Sequence, residues 1–234
     1  MLSLIGLVDG ITAVGVVLTG IIFGLYFIFK SKKSNAKLLL FLGLLIILAG
    51  LAYLGVFLDF LFVLATGKNM INPNGLVGIL SYIWIAPLIV IGMYLGAELL
   101  IPEKKKVLVI VFFGLMIVFE IIIIGYPLNS FNFVYPKNPG EELIDYNLSL
   151  MSAAGVLMLI FLASLVIFLG IGFLIKALQS TGTIRKKFFL LSMGVFLYAI
   201  FGALESLTAP GIALIVIRIG YISGPLFMYY GLKE

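Results

Sequence analysis

Glu120 and Arg218 stand inside otherwise apolar stretches of the chain. An ionised group there costs at least about 2.5–3.5 kcal/mol at a helix centre, so it needs a partner or a task. Glu120 lies about six residues from one end of its stretch and Arg218 about eight from the end of its own. At ~1.5 Å of rise per residue the two sit at nearly the same depth. Asp59, Glu205 and Asp9 fall nearer the ends of three further stretches. A guanidinium facing carboxylates from neighbouring helices makes one of two things. The first is a polar pocket for a small ligand, with Arg218, Glu120, Asp59 and Glu205 as its polar contacts. The second is a structural ion pair that fastens helices together. Acids outnumber the arginine in this set, and the surplus calls either for a protonated carboxyl or for an incoming cation. Tyr82, Trp84 and Tyr221 fall where they would line such a pocket. Pro87 and Pro225 each remove a backbone hydrogen bond, which predicts kinked helices and two hinge positions.

Other chemistries are missing from the residue list. The chain has no cysteine and no histidine. That excludes thiolate chemistry, haem ligation by imidazole and most zinc or copper sites. No apolar stretch carries two carboxylates at i, i+3 or i, i+4 spacing. The expectation is therefore a non-enzymatic protein without a cofactor or a metal centre.

The elements that must carry these side chains follow from composition. Of 234 residues, 63% are hydrophobic and only 11% charged, against roughly 25% charged in soluble domains. Apolar runs of about 20 residues are long enough to cross a bilayer as helices. They fall at about 4–29, 38–65, 76–100, 107–126, 150–176, 188–206 and 211–231, which predicts one all-α domain over residues 1–234, a seven-helix transmembrane bundle. Basic residues alternate between the loops. Lys30, Lys32, Lys33, Lys37, Lys104, Lys105, Lys106, Lys176, Arg185, Lys186, Lys187 and Lys233 fall on one side, and only Lys68 and Lys137 on the other. The positive-inside rule then puts the N-terminus outside and the C-terminus in the cytoplasm. The net charge of +5 belongs to this pattern and to lipid headgroups rather than to nucleic acid. The bilayer itself is the first expected partner, at the cell membrane.

Two further patterns bear on function. Gly20-Ile21-x-Phe23 recurs 150 residues later as Gly170-Ile171-x-Phe173, with Lys37 and Leu40 matched by Lys187 and Leu190. Ala86-Pro87-Leu88 parallels Gly224-Pro225-Leu226. Both fit a 3+1+3 parallel repeat, with a site between two helix triplets. The run Pro87-Leu88…Met93-Tyr94-Leu95…Glu98…Pro102-Glu103-Lys104-Lys105-Lys106 resembles the seven-transmembrane input modules of prokaryotic sensor histidine kinases, though no output domain follows it. The resemblance implies a receptor-like or sensory protein that recognises a small ligand from the outer side and signals through a separate cytoplasmic partner. Two alternatives stand beside it, a small-solute or proton-coupled cation transporter and a structural subunit of a membrane complex.

Overall fold

The computed structural model describes residues 2–232, so Lys233 lies outside the described residues. The chain is 79% helical with almost no sheet. Helix α1 spans Leu4–Ser34, α2 Lys37–Leu51, α3 Leu54–Thr66, α4 Leu76–Tyr82 and α5 Ile85–Leu100. After a short 3₁₀ turn come α6 (Lys105–Gly125), the single-turn α7 (Pro127–Ser130) and a hairpin of β1 (Phe131–Val134) with β2 (Asp145–Leu148). Helix α8 (Ala153–Ser164) passes through a π-helical turn at Leu165–Ile171 into α9 (Gly172–Gln179). Helices α10 (Gly182–Leu207) and α11 (Ala213–Leu232) complete the fold.

Six helical stretches are long and apolar enough to cross a membrane, and α2 with α3 makes a seventh if the bent pair is counted as one. That pair departs from the straight helix expected over 38–65, because it bends by 47° at Ala52–Tyr53. No proline causes the bend. The backbone of Gly55 instead lies so close to the Val77 carbonyl that a Cβ would sit 2.0 Å from its oxygen. The Gly55 N–H, released from the α-helical ladder, donates to Ser81 Oγ at 2.9 Å. The break between α4 and α5 has a simpler origin. Pro87 offers no N–H to the Ile83 carbonyl and its ring crowds that group, so the helix turns at Ile83–Trp84. Pro225 makes the same omission toward Tyr221, yet α11 runs through it unbroken.

The helices form a closed ring. Helix α1 packs along α2 and also meets α11, and α5 lies against α2, α6 and the π-helical turn. Contact between backbones depends on glycine. A Cβ on Gly20 would lie 2.7 Å from the Gly50 Cα, and one on Gly194 2.7 Å from the Gly224 carbonyl oxygen. Such small-residue seams let membrane helices approach closely and gain dispersion contacts. Helix α6 buries only Phe112, Phe119 and Ile123. Val107, Ile110, Phe113, Ile121 and Ile124 are exposed around it, a surface that hydrocarbon chains would cover.

The hairpin end of the bundle is tied down by polar side chains. Asp59 is fully buried and accepts from Met70 N at 2.7 Å, Asn69 Nδ2 at 3.0 Å and Ile144 N at 2.9 Å. Asn69 also donates to the Glu142 carbonyl and accepts from Gly140 N. Ser3 N donates to the Glu141 carbonyl at 2.7 Å. These bonds hold the segment between β1 and β2 against the start of α1 and the end of α3.

Candidate functional site

Arg218 is buried on α11 and uses all the donors its guanidinium has. Nε donates to Glu205 Oε1 at 3.0 Å, and Nη2 donates to the same oxygen at 2.8 Å and to Asp9 Oδ1 at 2.7 Å. Nη1 donates to the Asp9 carbonyl at 2.6 Å and to Thr12 Oγ1 at 2.5 Å. An arginine carries five N–H groups, so none is left over. The planar cation also lies 5.1 Å from the ring centre of Tyr53, within cation–π range. Asp9 and Thr12 come together because they stand three residues apart on one helix, a spacing that puts them on one face.

This network forms one wall of a cavity of about 510 Å³. Asp9 and Tyr53 border it from α1 and the α2–α3 break, and Tyr82 from the end of α4. Asp145 and Tyr146 close it from β2, and Tyr198, Glu205, Arg218 and Tyr221 line it from α10 and α11. Its apolar side is built by Met158, Leu162 and Leu165. Hydrogen bonds fix three of the tyrosines. Tyr221 Oη donates to Tyr198 Oη at 2.7 Å, and Tyr146 Oη donates to Ser81 Oγ at 2.5 Å. The break at Ala52–Tyr53 and the break at Ile83–Trp84 both flank the cavity, so the irregular backbone sits where it lines a space.

The electrostatics are lopsided. One arginine and three acids, Asp9, Glu205 and Asp145, border the cavity. Asp9 Oδ2 accepts no hydrogen bond among the described residues, since its arginine contacts use Oδ1 and the backbone carbonyl. Glu205 Oε2 is enclosed and also lacks a hydrogen bond among the described residues. Asp145 makes no ion pair among the described residues. Burial pushes the Asp145 carboxyl above its ordinary range, and the negative charge of Asp9 adds to this. Burial likewise holds the Tyr146 hydroxyl neutral, far above the usual phenol range.

Of the residues expected at the pocket, Arg218, Glu205, Tyr82 and Tyr221 are brought together around the cavity. Asp59 is not among its lining residues and serves the loop instead. Trp84 is half-buried and donates from Nε1 to the Leu80 carbonyl at 2.8 Å. Glu120 stands apart on α6, with both carboxyl oxygens enclosed and unpartnered among the described residues. Pro87 acts on the backbone beside the cavity, and Pro225 borders a separate crevice of about 20 Å³ with Val16 and Gly20. Thr12, Tyr53, Asp145 and Tyr198 carry no assignment from the sequence, and Asp9 counts there only as one of the nearby acids. Asp9 and Thr12 carried a signal, a polar i, i+3 pair in the first turns of a membrane helix. No three acidic side chains among the described residues converge tightly enough to hold a metal ion. No family model matches the sequence, and no curated protein and no solved structure matches it either.

Proposed function

We propose that this chain is a receptor-like, non-enzymatic membrane protein that binds a small ligand in the cavity beneath the hairpin and signals through a separate cytoplasmic partner. The carrying observation is the cavity itself. At about 510 Å³ it falls within the roughly 300–1,000 Å³ of small-molecule sites, and its apolar walls with a few convergent polar groups match their usual composition. In this reading α2 and α3 are one broken span, giving seven, and the lysine-rich loops face the cytoplasm. The hairpin and the N-terminus are then outside. The two breaks at the cavity let ligand contacts bias the angle of α3 and α5, and that motion reaches the basic loops at the other end.

Transport is the second reading, and it needs an opening at the lysine-rich end. That half is filled in the present conformation. The rings of Phe27 and Tyr229 stack at 4.3 Å, Phe41 meets Tyr94 at 4.3 Å, and Lys30 reaches the Tyr229 hydroxyl.

Sealed liposomes containing the purified protein separate the two. A panel of small amines, carboxylates and alcohols is screened for thermal stabilisation and for flux. A compound that stabilises saturably without crossing the membrane supports the receptor, and saturable flux supports the transporter. Topology is tested in the same vesicles, because the chain has no native cysteine. Lys137→Cys should react with an impermeant maleimide on the side opposite Lys105→Cys.

A further inference from the structure

We infer that the ligand is an amphiphilic organic cation, an ammonium head on an apolar body, which enters the cavity from the bilayer through the gap between α8 and α10. This rests on the ligand-pocket reading and adds the ligand's class and its route.

The class follows from what the walls still have to offer. Arg218 has spent all five donors on Asp9, Thr12 and Glu205. A carboxylate or phosphate would have to break that network to be recognised. The unspent capacity is on the accepting side, at Asp9 Oδ2 and at the Asp145 carboxylate, and both residues border the cavity. A donor with positive charge satisfies them and offsets the surplus of acids. The tyrosine rings offer π faces, which attract ammonium groups. The acids are spread across α1, β2 and α10 rather than gathered round one point, which suits a broad organic head better than a bare ion. The rest of the lining, Met158, Leu162 and Leu165, takes an apolar body.

The route follows from packing. Helix α10 lies along the π-helical turn and α9, but makes no close packing with α8. The two helices part beside the cavity. At the hairpin end of this parting the cavity is bordered by Leu150, which is 52% exposed, Met151, 97%, and Leu207, 74%, with the exposed Ser206 beside them. Water would not favour such a lip, and a membrane would cover it. The hairpin above the cavity is fastened through Asp59 and Asn69, so the side opening is the freer way in.

The experiment uses the full chain in phosphatidylcholine nanodiscs with a diazirine-bearing decylamine as photoprobe, mapped by mass spectrometry. Saturable labelling of Met151, Met158 or Leu162, displaced by decylamine and not by decanoate, is expected. Asp145→Asn should weaken that displacement about tenfold. Leu207→Trp, which fills the lip, should slow labelling by a similar factor, and Met151→Trp serves if Leu207→Trp does not fold. Displacement by decanoate as well as by decylamine would overturn the cationic class while leaving a ligand pocket. Unchanged labelling rates in folded lip variants would overturn the lateral route. Labelling that never saturates and falls only on lipid-facing residues such as Ile110 and Phe113 would remove both the inference and the pocket beneath it.

Discussion

At the scale of residues, the fold places its charges by pairing some and isolating others, and the two cases respond oppositely to mutation. Removing Arg218 leaves Asp9 and Glu205 buried and uncompensated, the situation that costs about 3–5 kcal/mol when a buried pair loses one partner. Arg218→Leu should therefore lower the detergent-solubilised melting temperature sharply, and Arg218→Leu with Glu205→Leu should recover part of the loss. Glu120 has no hydrogen-bond partner to lose among the described residues. Glu120→Leu should raise stability by about 1–3 kcal/mol, the cost of an unsatisfied buried polar group, and leave ligand binding unchanged. Asp145 gives a pH test. Its folded carboxyl binds a proton more tightly than the unfolded one, so the stability it contributes is present at acid pH and lost as pH rises through the raised pKa. Asp145→Asn should melt higher than the parent above that pKa and converge with it below. At this scale the sequence revealed which groups were unusual and hid who meets whom. An arginine in an apolar run announces itself. Whether Asp9, Asp59 or Glu120 faces it depends on how each helix is rotated about its axis, and the low-contrast apolar pattern of these helices carries little of that information.

At the scale of elements, the long apolar helices were legible because length and hydropathy alone define them, and a break was legible only where proline marked it. Pro87 signals the turn at Ile83–Trp84. The 47° bend at Ala52–Tyr53 has no such marker, because it arises from the approach of Gly55 to α4, a contact between segments distant in sequence. The hairpin has no marker either, since four-residue strands in an aromatic-rich stretch give no clear alternation. Glycine seams make a quantitative test. With its Cβ 2.7 Å from the Gly50 Cα, Gly20→Ala forces α1 and α2 apart and should cost about 1–3 kcal/mol, read as a fall in melting temperature. Gly114→Ala meets nothing within 4 Å and should be neutral or slightly stabilising. Asp59→Ala strands the Met70 and Ile144 amides. Faster hydrogen exchange at those two amides is expected, with α1 and α11 unaffected.

At the scale of the whole molecule, the ring of helices is tight where α1 meets α2 and α10 meets α11, and loose where α8 stands beside α10. The loose seam runs along the one long helix with a π-helical turn, Leu165–Ile171. Such a turn holds one residue more than an α-helix of the same rise would use, and this extra residue makes the helix a natural site for a length change. Deleting Val166 should let the turn relax to an ordinary α-helix with little rotation of the segments on either side, because the turn had already absorbed the extra residue. Met158 and Leu162 would then keep their places on the cavity wall, and α9 and its loop theirs. A one-residue deletion is thus nearly silent at this point, whereas in α10, a regular α-helix throughout, it would turn one half of the helix by about 100° against the other.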